Sequence, residues 1–205
     1  MRDLDRALAD ISSIRGQLAA GTLFRVFGPA VIAVTGGLAL ATAVAQSLWP
    51  AWLAADPLTY LACWGLTAAL SLALIGAEML ARSRRHHGGL ADTMILTAIG
   101  QFLPAGFAGA ALACVLIEFA PQALWMLPGL WQVLVALGLF ASVRTLPGAV
   151  AWVGAWYLVA GIGVLIAAST GPSLAPWMMG LPFFVGQLGM AAVLHLANGE
   201  DHDES

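Results

Sequence analysis

From about Phe24 to Ala197 the chain is a succession of apolar runs, each about twenty residues long and each closed by a short break of proline, glycine or arginine. A helix of that length rises roughly 30 Å, the thickness of a bilayer's hydrocarbon core. In that slab no water pairs the backbone, so each run must satisfy its own N–H and C=O groups as a helix. Composition agrees: 60% of the 205 residues are hydrophobic and 9% are charged, against about 25% charged in a soluble domain. A water-soluble fold so poor in charge would expose apolar surface and aggregate.

The breaks divide the chain into six predicted spans, at about 29–49, 57–80, 91–119, 123–143, 147–169 and 177–197. Pro29 and Pro57 suit first helical turns. Pro57, Pro121 and Pro176 precede the second, fourth and sixth runs, as in three stacked hairpins. The fold class is therefore all-α: a polytopic bundle of six transmembrane helices. Asn198-Gly199 is a stop signal, and residues 198–205 read as an acidic disordered tail. Residues 1–22 are too polar for a signal peptide.

Arginine sets the orientation. The basic residues are Arg2, Arg6, Arg15, Arg25, Arg82, Arg84, Arg85 and Arg144, with no lysine. With six spans all of them fall on one side, together with both termini. By the positive-inside rule that side is the cytoplasm, and the protein belongs in an inner membrane. Trp49, Trp52, Tyr60, Trp125 and Trp177 mark the opposite helix ends, as expected of an aromatic belt. The net charge of −3 leaves no basic excess for nucleic acid.

Ahead of the first span, Leu4, Leu8, Ile11, Ile14 and Leu18 recur at spacings of three and four, which places them on one face of a cytoplasmic amphipathic helix. Three arginines and three aspartates cancel on the remaining faces, whereas a helix that binds anionic lipid carries a basic face. The reading is a surface that packs on protein: a cytoplasmic partner, a second copy of the chain, or its own bundle. Gly21 ends the segment.

Within the spans, small side chains recur as Ala33, Gly37, Ala41 and Ala45, as Ala105, Gly109 and Ala113, and as Gly163 and Ala167, candidate faces for close helix contact. Four polar residues stand out: Glu78, Gln101, Gln132 and Gln187. Pro104, Pro128 and Pro182 lie near the glutamines, and an internal proline frees a carbonyl and invites a kink. Two readings follow. The glutamines line a small polar cavity, as in transporters with broken helices, or they bridge helices by hydrogen bonds. Glu78 is four residues from Arg82, a spacing that makes an ordinary ion pair. No charge lies at the midplane, which counts against proton- or ion-coupled transport.

Catalytic and metal signatures are missing. There is no GxxxxGK[ST], HExxH, CxxC or GxSxG, so no enzyme activity, catalytic residue, metal or cofactor is expected. His195 has no second histidine at its depth to hold a haem. Cys63 and Cys114 read as small apolar fillers.

The segments Leu124-Trp125-Met126-Leu127-Pro128-Gly129-Leu130-Trp131-Gln132 and Gly180-Leu181-Pro182-Phe183-Phe184-Val185-Gly186-Gln187, with the Glu78 to Arg85 stretch, resemble small uncharacterised six-helix inner-membrane proteins of proteobacteria. The resemblance covers nearly the whole chain. It implies a bacterial inner membrane and brings no catalytic residue. The expectation for function is a non-enzymatic membrane scaffold or regulatory partner docking through Leu4, Leu8, Ile11, Ile14 and Leu18. The alternative is a small-solute transporter or channel subunit with a cavity lined by Glu78, Gln101, Gln132 and Gln187.

Overall fold

The structure, a computed structural model, describes residues 28–85, 90–143, 148–171 and 174–203; within 82–85, 90–102 and 198–203 it describes the backbone alone. Among these residues six long helices follow one another: α1 (Pro29–Leu48), α2 (Pro57–Arg85), α3 (Leu90–Phe119), α4 (Leu127–Ser142), α5 (Val150–Thr170) and α6 (Trp177–Asp203). A single turn, Pro50–Leu53, links α1 to α2, and a 3-10 helix, Pro121–Met126, leads into α4. Among the described residues, five segments are long and apolar enough to cross a membrane: Pro29–Leu48, Pro57–Ala81, Pro121–Ser142, Val150–Thr170 and Trp177–Ala197. The described apolar part of α3, Leu103–Phe119, is shorter. This is a helical, multi-pass membrane protein.

Packing orders the helices α2–α1–α6–α5–α4–α3, with a slight contact between α2 and α3. The most extensive interfaces join α1 to α6 and α4 to α5. The three hairpins are thus locked mainly through the joints between them. One apolar cluster, built on Ala43, Tyr60, Trp64, Leu127 and Met179, gathers α1, α2, α4 and α6 at the end that carries Asp56. A second, on Ala136, Val150, Val153 and Tyr157, fills the α4–α5 seam. A third, Ile32 with Ala191 and Leu194, joins α1 to α6 nearer the arginine end.

Glycine makes two seams close. On α4 and α5, a β-carbon on Gly161 would fall 2.8 Å from the Gly129 carbonyl oxygen, and one on Gly129 would fall 2.7 Å from the Gly161 carbonyl oxygen. The two backbones touch, and no side chain fits between them. At the α1–α6 seam a β-carbon on Gly180 would overlap the Ala43 methyl group.

Several faces differ from the pattern of small residues. On α1 the buried stripe is Ile32, Thr35, Gly36, Ala39, Ala43 and Gln46, while Gly37 and Ala41 point outward. On α5 Gly163 and Ala167 are exposed, and Gly154, Gly161 and Ala168 are buried. Tyr60 is not a belt residue: it is 1% exposed, and its hydroxyl donates to the Ala175 carbonyl at 3.2 Å. Trp49, Trp52 and Trp177 are exposed. The last helix continues past Asn198-Gly199 to Asp203, since one glycine costs a helix only about 1 kcal/mol.

Candidate functional site

The intramembrane glutamines are the natural starting point, and Gln132 is the best defined. Its side chain is wholly buried on α4, and Nε2 donates to the Met178 carbonyl of α6 at 2.8 Å. The reason lies four residues further on. In an α-helix that carbonyl would accept the N–H of residue 182, and residue 182 is proline, which has none. Gln132 supplies the missing donor from a neighbouring helix. Trp156 of α5 adds a second tie, its indole N–H donating to the Pro182 carbonyl at 3.0 Å. Around this proline, Tyr157 lies against Gly186, where any β-carbon would overlap its ring, and its ring centroid is 5.3 Å from that of Phe183.

Pro128, by contrast, stands in the first turn of α4. The N–H it lacks has no intrahelical partner there anyway, so it kinks nothing and plays no part in placing Gln132. Gln187 is half-buried on α6, with its β-carbon against Gly36 of α1. It faces a different seam from Gln132. The Gln101 side chain lies outside the described residues, as do Leu4, Leu8, Ile11, Ile14 and Leu18. Glu78 is half-buried, with its carboxylate seated on Gly28 beside the first turn of α1, the positive end of that helix.

The structure adds a second buried glutamine that the sequence reading did not single out. Gln46, at the end of α1, is wholly buried; its Nε2 donates to the carbonyls of Leu53 at 3.0 Å and Tyr60 at 3.2 Å. It holds the α1–α2 connection closed. The Thr42 and Thr67 hydroxyls, 2.7 Å apart, join the same two helices. The signal was present in the sequence, because Thr35 and Gln46 share a helical face with Ala39 and Ala43. Among the described residues, four buried polar atoms have no protein partner: Gln46 Oε1, Gln132 Oε1, Trp64 Nε1 and the Tyr157 hydroxyl.

A cavity of about 350 Å³ opens at the Asp56 end. Its walls include Asp56, Tyr60, Gln122, Leu124, Trp125 and Leu174, and neither Gln132 nor Gln187 is among its lining residues. Asp56 caps α2: Oδ1 accepts the backbone N–H groups of Leu58 at 2.9 Å and Thr59 at 3.0 Å, and Oδ2 accepts the Thr59 hydroxyl. These bonds, the Thr59 hydroxyl foremost, hold the Asp56 carboxyl below the usual carboxylate range. Among the described residues no three His, Cys, Asp or Glu side chains come together as metal ligands. His195 is exposed on α6. Cys63 and Cys114 are free thiols, half-buried and exposed respectively.

Compared with protein-family models, with curated proteins and with solved structures, the chain matches none. Its functional reading therefore rests on its own residues.

Proposed function

We propose that this is a six-span protein of a bacterial inner membrane, with both termini in the cytoplasm, that serves as a non-enzymatic scaffold or regulatory partner. The sixth span is α3, whose backbone is helical over 30 residues. The orientation follows from arginine, absent from the three connections at the opposite end. The observation that carries the functional reading is the use made of Gln132: its amide N–H satisfies a backbone carbonyl that a proline has stranded. A group so occupied braces the bundle and is not offered to a solute. The feature left for function is the apolar face of residues 4–18 on the cytoplasmic side, which docks a partner protein or a second copy.

The test is affinity purification of the full chain from native membranes, against the same chain carrying Leu8→Asp and Ile11→Asp. A stoichiometric partner recovered only with the parent sequence supports docking. Equal recovery with both sinks it. The small-solute transport reading keeps one observation in its favour, the unpartnered oxygens of Gln132 and Tyr157, which a water-filled path would satisfy. It requires that Gln132→Leu with Gln187→Leu abolish a flux in a protein that remains folded.

A further inference from the structure

The cavity at the Asp56 end has a carboxylate and no basic side chain in its lining. We propose that it binds a small organic ammonium ion, of the kind carried by choline, by ethanolamine or by an ethanolamine lipid headgroup. The connections at this end, residues 49–57, 118–126 and 170–177, contain two charged residues, Asp56 and Glu118, and no arginine, lysine or histidine. Glu118 is exposed at the end of α3. A recess whose fixed charge is of one sign against low-dielectric walls concentrates ions of the opposite sign.

The lining narrows the choice further. Asp56 is held in one orientation by three hydrogen bonds, so its carboxylate is pre-positioned and ionised. Trp125, half-buried in the lining, supplies aromatic surface, which attracts cations through the ring quadrupole. Gln122 adds one amide, while Leu124 and Leu174 are apolar. An anion finds no basic side chain in such a lining, and the N–H groups of Leu58 and Thr59 at the start of α2 are already taken by Asp56. A metal ion finds one carboxylate, where calcium takes six to eight oxygens. A sugar needs several convergent hydrogen-bonding groups, and the Tyr60 hydroxyl is already bonded to the Ala175 carbonyl. A compact cation that carries its own methyl or methylene surface fits both the charge and the walls, and about 350 Å³ is at the small end of ligand sites.

Two sources of this cation are open to a site at a membrane surface, a free solute and a lipid headgroup, and the experiment separates them. Equilibrium binding of radiolabelled choline and ethanolamine is measured on the full-length protein in detergent. Native mass spectrometry then compares retention of phosphatidylethanolamine with that of phosphatidylglycerol. The informative variant is Asp56→Asn, which keeps an oxygen acceptor at a position where asparagine caps as well as aspartate while removing the charge. Saturable solute binding, weakened about tenfold or more in Asp56→Asn, supports the site with a free ligand. Preferential retention of phosphatidylethanolamine that Asp56→Asn abolishes supports it with a lipid. The proposal is overturned if neither ligand binds, if Asp56→Asn binds as the parent does, or if 3,3-dimethyl-1-butanol, the uncharged isostere of choline, competes as well as choline. Ligand binding does not read the docking proposed for residues 4–18, so the two proposals stand or fall separately.

Discussion

The bond from Gln132 to the Met178 carbonyl carries a quantitative consequence for Pro182. Replacing Gln132 with leucine keeps nearly the same volume and removes the donor, which leaves a buried carbonyl unpaired. An unsatisfied buried group costs about 1–3 kcal/mol, and interhelical hydrogen bonds in membranes run from about 0.6 to 1.7 kcal/mol. The expected loss is therefore about 1–2 kcal/mol. Replacing Pro182 with alanine restores an N–H at residue 182, four residues beyond Met178, and the helix then satisfies that carbonyl itself. In this background Gln132→Leu should cost close to nothing. The double-mutant cycle removes whatever Pro182→Ala does alone and isolates a coupling of about 1 kcal/mol or more. Unfolding in mixed micelles, driven by SDS and followed by far-ultraviolet circular dichroism, reads all four proteins. Equal costs for Gln132→Leu with and without Pro182 would refute the reasoning. They would mean that the glutamine serves something other than the stranded carbonyl, and the cavity reading would gain.

Three further outcomes follow from the packing. Gly161→Ala sets a β-carbon 2.8 Å from the Gly129 carbonyl oxygen and must part α4 from α5, at a cost of about 1–3 kcal/mol; Gly163→Ala, with nothing within 4 Å, should unfold with the parent. Tyr157→Phe removes a buried hydroxyl that has no protein partner, so stability should be unchanged or higher, and a loss above about 1 kcal/mol in the same assay would reveal bound water at that point. Because folding lowers the Asp56 pKa from its ordinary 3.8, its contribution is complete above that pH and is lost as pH falls through the lower folded value. Asp56→Asn should flatten that acid slope without changing stability at neutral pH, and identical acid titrations of the two proteins would contradict it.

The starts of α1 and α2 were legible because they answer to a strong local rule. Pro29 and Pro57 open α1 and α2 since the first turn needs no N–H from them. Which side of each helix faces its neighbours was far less so. Lipid tails are as apolar as leucine, so hydropathy has nothing to say about facing. The size pattern of Ala33, Gly37, Ala41 and Ala45 is centred about 170° from the buried stripe Ile32, Thr35, Gly36, Ala39, Ala43 and Gln46. The polar members of that stripe, Thr35 and Gln46, were the better guide. For Gln132 half the answer was in the sequence: Pro182 must strand the Met178 carbonyl. The other half, a donor from 46 residues away, needed the packing of α4 against α6.

The bridges from Gln46, Tyr60, Trp131, Gln132 and Trp156 share a direction that explains the unpartnered glutamine oxygens. Each sends an N–H or O–H to a main-chain carbonyl: Gln46 to Leu53 and Tyr60, Tyr60 to Ala175, Trp131 to Gly109, Gln132 to Met178 and Trp156 to Pro182. A carbonyl oxygen has two lone pairs, so one within a helix can accept a visitor and keep its own helical bond. A helical N–H has a single hydrogen, and beyond the first turn the helix has already used it. A glutamine buried among helices therefore finds acceptors readily and donors almost never. Its amide nitrogen is satisfied, and its oxygen is left over. The orphaned Oε1 atoms of Gln46 and Gln132 are what a bundle of intact helices produces, and neither requires a solute to account for it. Tryptophan, which only donates, makes the same bridge at Gly109 and Pro182 with no oxygen to strand.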